Sequence, residues 1–249
     1  MKLYVSITTL PSRVAELKPT LDSLLTQSKV PDAIFLCLPL VSRREKVGYT
    51  IPEWLEGYDE RVRILSVELD CGPGTKILGS FARCEDESVL VILDDDRVYG
   101  PDFLSVIYEQ QSQNLDCSFS GHVYSFAGYG IGQGADGFSF YVKNLKGLKV
   151  FSEMALENRH LFLVDDLWLS AYLHTQGVKV CRLEGLAEDC FESSHSVNQL
   201  HHLDQDSERW AAMTEGLNYM KRKGMLGRGV QYSFLVKSFL RRLFGISRK

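Results

Sequence analysis

Four short runs, "KLYVSIT" (2–8), "AIFLCLP" (33–39), "VRILSV" (62–67) and "SVLVIL" (88–93), are mostly apolar and rich in β-branched side chains. Runs of this length and composition predict strands of a buried, mostly parallel sheet. Between them the period changes. Leu17, Leu21, Leu24 and Leu25 fall on one helical face, with Pro19 where only a helix start or a kink accepts it, and Ile77, Leu78, Phe81 and Ala82 form a second stripe. Strand alternating with helix predicts a doubly wound α/β half, whose ligands sit beyond the carboxyl ends of its strands.

After about residue 116 the pattern shifts. "SGHVYSFAGYGIGQGADGFSFYVKN" (120–144) is rich in glycine and aromatics, which predicts antiparallel strands and a loop where backbone approaches a ligand. An ordinary glycine-rich turn region is the competing reading. "VDDLWLSAYLHTQGVKVCRL" (164–183) then predicts a helix opened by Asp165 and Asp166, carrying Leu167, Ala171 and Tyr172 on one face, stopped at Gly177 and followed by a strand. Acidic residues in a first turn complement the helix dipole, so simple helix capping also accounts for the pair.

Composition sets the frame. At 249 residues and 45% hydrophobic, the chain suffices for one catalytic-sized unit with a C-terminal appendage. A formal charge of -4 argues against a nucleic-acid binder. That charge is uneven: nine basic residues and no acidic one follow Glu215, leaving residues 1–215 with 19 basic against 32 acidic side chains, a net of -13. Within the tail, Tyr232, Leu235, Val236, Phe239, Leu240 and Leu243 share a helical face while Lys237, Arg241 and Arg242 lie off it. Residues 229–249 thus read either as a helix packed on the domain or as an amphipathic anchor on an anionic membrane surface. Six scattered cysteines without a C-x-x-C pair read as reduced, buried thiols. "MKLYVSITTLPSR" is too short and polar an apolar run for a signal peptide, and no stretch approaches a membrane span, so the expected location is cytoplasmic. The anchor reading would add peripheral contact with the cytoplasmic membrane face.

The chemistry concentrates in "LVILDDDRVYGPDFL" (90–104), where Asp94, Asp95 and Asp96 end an apolar strand. Neighbouring carboxylates raise one another's pKa, so such a cluster is best tolerated when a cation neutralises it. Oxygen-only ligands suit Mg²⁺ or Mn²⁺ bridging a carboxylate to phosphate oxygens, and a separate Asp is an adequate general base toward a hydroxyl. A solvated loop or a Ca²⁺ site is the alternative for the triplet alone.

Five segments taken together, "TTLPSR" (8–13), "LDSLLTQSKVPDAIFLCLP" (21–39), "DCGPGTKILGS" (70–80), "VLVILDDDRVYGPDF" (89–103) and "VDDLWLSAYLHTQG" (164–177), resemble bacterial-type glycosyltransferases of the GT-A (nucleotide-diphospho-sugar transferase) fold. The likeness is to members with a D-x-G-P-x-T-K segment ahead of a DDD motif, and it covers about residues 3–182. It implies an α/β fold with a mostly parallel central sheet flanked by helices and a small antiparallel acceptor-side portion. With the composition shift near 116 and the charge break after Glu215, the expected division is a glycosyltransferase domain at 1–215, with donor half about 1–116 and acceptor half about 117–215, and a basic amphipathic helical appendage at 216–249. The implied activity is metal-dependent transfer of a hexosyl or pentosyl group, with inversion. The donor is a nucleotide diphosphate sugar, UDP favoured; the acceptor is a hydroxyl of a glycan, an oligosaccharide or a lipid-linked carrier.

Residue by residue, the resemblance makes Thr8, Thr9, Pro11 and Arg13 donor-site candidates and Asp70 a contact for the base or ribose. Lys76 becomes a partner for phosphate, although a solvated helix lysine explains it equally. Asp94 would face the ribose, Asp95 would assist the donor, and Asp96 with Asp94 would hold the Mn²⁺ or Mg²⁺. Asp166, with Asp165 beside it, would supply the base. His195 is the implied histidine of the metal shell, with His201 and His202 as rivals; a solvated loop histidine is the plainer reading. A metal-dependent phosphohydrolase and a non-catalytic nucleotide-sugar-binding protein remain as alternatives. A nucleotidyltransferase fits less well, because "TTLPSRVAELK" lacks the glycine- and basic-rich loop expected there.

Overall fold

The computed structural model describes residues 1–193 and 206–227. In chain order the elements are β1 (Lys2–Ile7), α1 (Lys18–Leu25), β2 (Ala33–Pro39), β3 (Val62–Val67), α2 (Thr75–Ser80), β4 (Ser88–Ile92) and β5 (Arg97–Tyr99). They continue with α3 (Phe103–Gln113), β6 (Cys117–Ser120), β7 (Val123–Phe126), β8 (Tyr129–Gly132), β9 (Phe138–Tyr141), α4 (Leu148–Ala155), α5 (Asp165–Thr175), β10 (Lys179–Arg182), β11 (Cys190–Glu192) and α6 (Asp206–Arg222).

The main sheet has the order β10-β6-β9-β4-β1-β2-β3. β1 pairs in parallel with both β2 and β4, β2 with β3, and β6 with β10, while β9 runs antiparallel between β4 and β6. Two small antiparallel ribbons, β5 with β11 and β7 with β8, complete the expected mostly parallel α/β design.

Strand periodicity explains why both faces are covered. Leu3, Val5 and Ile7 of β1 and Val89 and Val91 of β4 enter a core shared with Leu21 and Leu24 of α1 and with Phe103, Leu104 and Ile107 of α3. Tyr4, Leu90 and Ile92 point the other way, toward Ile77 of α2, Phe151 of α4 and Trp168 of α5. Alternation of this kind with apolar residues on both sides requires helices on both faces of the sheet. Pro19 sits in the first turn of α1, where its missing N–H leaves no bond unmade.

β1 feeds β2 on one side, while β4 lies on its other side. The carboxyl ends of β1 and β4 therefore flank the point where strand order reverses, the usual place for a ligand crevice in an open α/β sheet. Thr8 and Thr9 follow β1, and Asp94 to Asp96 follow β4.

α6 runs through the expected division at residue 215, and Met213, Leu217 and Met220 of this helix, with Met225 just after it, belong to the core with Leu161 and Leu167. The expected tail helix at 229–249 and His195, His201 and His202 lie outside the described residues. Among the described residues no helix is long and apolar enough to cross a membrane.

Candidate active site

The aspartate triplet is held by its backbone before any ligand is considered. The buried hydroxyl of Tyr99 accepts the Asp94 N–H and donates to the Asp94 carbonyl, each at 3.1 Å. Thr20 Oγ1 donates to the Asp95 carbonyl at 2.9 Å, and Ser193 N–H donates to the Asp96 carbonyl at 2.9 Å. Tyr99→Phe strips this clamp and leaves two backbone groups without a partner. The expected loss is about 1–3 kcal/mol of stability, read as a lower urea midpoint, with the α/β far-UV spectrum retained.

The three carboxylates then diverge. Asp94 accepts from Lys76 Nζ at 2.6 Å. Asp95 turns toward Thr9 Oγ1 and the Arg13 guanidinium, and Asp96 lies 3.1 Å from Arg13. Burial raises Asp95 to about 6 even though Arg13 pulls the other way. For Asp94 burial also acts upward, but Lys76 outweighs it and holds the carboxyl below its usual range.

Lys76 is the hub of the site. Its side chain is 4% exposed, and Nζ also stands 3.8 Å from Asp165 Oδ2, an atom that makes no hydrogen bond of its own. Burial would favour a neutral amine, but Asp94, Asp165 and Asp166 together keep it protonated well above the usual lysine value. Its backbone is fixed as well: Ser6 Oγ of β1 donates to the Lys76 carbonyl at 2.5 Å and Ser80 Oγ at 2.7 Å. The two acidic motifs are thus joined through one ammonium.

Asp165 and Asp166 open α5 in its first turn, but the N-cap position belongs to Val164 and carries no side-chain cap, so the pair is not explained by capping. Asp166 Oδ1 accepts the Gly134 N–H at 3.1 Å, and Asp166 Oδ2 faces Arg209 Nη2 at 3.5 Å. A Cβ placed on Gly134 would stand 2.9 Å from Lys76 Nζ, so glycine lets this loop close over the ammonium. Burial, reinforced by Asp165, raises Asp166 to about 7 against the pull of Lys76 and Arg209. The Asp165 carboxyl is raised too, chiefly by burial.

A cavity of about 160 Å³ opens over these groups, lined among others by Thr8, Thr9, Arg13, Asp70, Lys76 and Asp94 to Asp96. Pro11 sits in the same turn but off that lining. Thr8 Oγ1 donates to the Cys37 carbonyl at 2.7 Å. Asp70 spends an oxygen on each of two backbone donors, Gly72 and Arg43, both at 2.7 Å, and so shapes the loop that walls the cavity. Lys76 is not a solvated helix lysine. Arg209 was not anticipated; it lies two turns ahead of Leu217 on α6 and looks like surface until the Met213, Leu217 and Met220 stripe docks that helix beside α5.

No protein-family model matches the chain, and no curated protein matches it in sequence. Among solved structures the chain is similar to Staphylococcus aureus TarS, with a TM-score of 0.51 and 14% identity, covering 74% of this chain and 35% of that one. TarS 1-349 in complex with UDP aligns at 0.49 and 13% identity over 74% of this chain, which spans 58% of that structure's length. Francisella tularensis 2-C-methyl-D-erythritol 4-phosphate cytidylyltransferase (IspD) aligns at 0.46 and 12% identity, over 74% and 90% of the two chains. Identities this low bear on architecture alone. What the chain shares with TarS is a GT-A-like α/β fold, with a mostly parallel central sheet flanked by helices and small antiparallel sheets.

Proposed function

We propose that the protein transfers a sugar from a nucleotide diphosphate donor, UDP-sugar favoured, to an acceptor hydroxyl, with Asp166 as the base. The observation that carries this reading is the position of Asp166. It is a largely buried carboxyl raised to about 7, off the lining of the cavity but within the field of Lys76, whose ammonium pairs with Asp94 of the triplet at the end of β4. A base that titrates near neutrality is suited to taking a proton from a hydroxyl as it attacks. The choice of UDP rests on the resemblance of the DDD segment to the D-x-D sites of GT-A glycosyltransferases.

The donor's charge meets Arg13 at the mouth of the cavity, where the guanidinium already neutralises Asp95 and Asp96. Among the described residues no three His, Cys, Asp or Glu side chains converge as a metal cage. The arrangement fits a divalent ion of another kind: Mg²⁺ commonly takes one or two carboxylates and fills its shell with phosphate oxygens and water. Asp96, on the cavity lining, and the Asp94 oxygen not bound to Lys76 are the groups that would hold it. Such an ion supplies charge stabilisation to the departing diphosphate. The chain's own part is to orient the donor over Arg13 and to hold Asp166 where the acceptor proton leaves.

Melting temperature measured with UDP, with GDP and with CDP, each with Mn²⁺, with Mg²⁺ and with chelator, tests the donor reading. A ligand at ~100 times its dissociation constant adds about 2.7 kcal/mol. The expected result is a rise of several degrees with UDP that exceeds the rise with the others and shrinks with chelator. No rise with any nucleotide overturns the proposal, and hydrolysis of UDP-sugar to UMP and sugar 1-phosphate without sugar transfer would move the protein to the hydrolases.

A further inference from the structure

The far side of Asp166 carries an aromatic face that the donor site does not use. His122, Tyr124 and Phe126 alternate along β7 and its approach, so the pleat places them on one side. Trp210 of α6 closes on this row: its ring centroid is 6.1 Å from Tyr124 and 5.5 Å from Phe126, and His122 stands 6.3 Å from Tyr124. Tyr124 and Phe126 rest against the core by one side, while the Trp210 ring stays outside it. Trp210 is 48% exposed, next to an Arg209 that reaches Asp166, and Tyr124 turns its hydroxyl to Met213 Sδ at 3.6 Å.

A half-exposed indole forgoes much of the stabilisation that burial would give it. It is held in place all the same, because α6 is anchored below it by Met213, Leu217 and Met220. Rigid aromatic rings next to a few placed polar groups are the common make-up of a small-molecule subsite. The ligand chemistry follows from what surrounds the rings. Among the described residues the cation at the inner end, Arg209, is already paired with Asp166, and Asp165 lies beyond, so this face offers little to an anionic group. It suits a flat, neutral ring that presents C–H bonds to the aromatics and hydroxyls outward.

We infer that Tyr124, Phe126 and Trp210 form the acceptor subsite, and that its occupant is a neutral pyranose ring of a glycan, stacked on Trp210 with one hydroxyl directed to Asp166. This rests on the glycosyl-transfer reading above and narrows its acceptor from glycan or lipid carrier to glycan. Binding energy collected on the rings, away from the reacting atoms, would orient the attacking hydroxyl.

Saturation-transfer NMR on the full chain with UDP present tests this directly. The probes are the methyl glycosides of glucose, galactose, mannose and N-acetylglucosamine, malto-, cello- and chitotriose, and glucose 1-phosphate, each at millimolar concentration. The expected result is saturation of ring C–H protons in at least one neutral sugar, weakened at least tenfold in Trp210→Ala, retained in Trp210→Phe, and absent for glucose 1-phosphate. Because Trp210 is half exposed, both variants should melt within a few degrees of the parent. No transfer to any neutral sugar, equal transfer in Trp210→Ala, or preference for the phosphorylated sugar overturns the subsite. The UDP melting shift separates the two readings. A normal shift with no sugar contact removes the subsite alone, whereas a lost shift with Trp210-dependent sugar contact removes the donor reading and leaves a carbohydrate-binding face.

Discussion

Asp166→Asn is expected to lower sugar transfer by about 10²–10⁴-fold, the range that a positioned general base contributes, with the UDP-induced melting shift unchanged. The substitution is close to isosteric: the amide oxygen still accepts the Gly134 N–H, so the loop over Lys76 stays closed. What disappears is the proton acceptor. In the parent, burial and Asp165 raise Asp166 to about 7, so the base is protonated and inactive in acid, and the rate climbs as pH rises through that value. The residual rate of the variant should lack this limb. Stability supplies the second readout, and its sign is fixed. A carboxyl whose folded pKa lies above its unfolded value binds more protons in the folded state, so its cost to stability grows as pH rises from about 4 to about 7 and then levels off. The Asn variant is relieved of that cost and should gain melting temperature relative to the parent as pH goes from 5 to 8. A variant with near-parental turnover would put the base elsewhere, with Asp165 the first residue to examine.

That argument needed the structure for its geometry but not for its residue. Asp165 and Asp166 announce themselves because two acids precede an apolar run with helical spacing, and the triplet at 94–96 because charge interrupts a buried strand. The strands themselves are legible for the same reason. β1, β2 and β4 are buried on both faces or nearly so, and such runs contrast with everything around them; β3, expected to be buried, is the edge strand and is half-exposed to exposed along its length. β5 and β11, three residues each, are too short to show a period, and they exist because each is the other's partner. Arg209 and Trp210 were missed because α6 mixes polar and apolar residues along its length, and only its docking against Leu161 and Leu167 turns a surface-looking Arg and Trp toward the site. Asp70 shows the opposite limit. Its place ahead of the glycine turn was clear from the motif, but the allotment of both its oxygens to backbone donors is a property of the folded loop.

Lys76 brings these limits to a measurable test, because its sequence reading and its structural position predict different outcomes. A lysine that serves the donor phosphate would, on replacement by methionine, leave stability alone and weaken UDP. A buried ammonium beneath Asp94, Asp165 and Asp166 behaves otherwise: removing one partner of a buried pair leaves uncompensated charge and typically costs about 3–5 kcal/mol. Lys76→Met is therefore expected to drop the urea midpoint sharply at pH 8. The loss should shrink on acidification. Without the ammonium, burial raises the folded pKa of the carboxylates above the unfolded values, the folded state binds the extra protons, and stability falls as pH rises. A double variant, Lys76→Met with Asp94→Asn, removes the carboxylate that lies 2.6 Å from the ammonium and should recover part of the midpoint at pH 8. Equal midpoints for the parent and Lys76→Met at pH 8, with only UDP binding weakened, would return Lys76 to the phosphate. The expected pattern would instead make the ammonium the link that allows a donor-side triplet and an acceptor-side base to share one buried site.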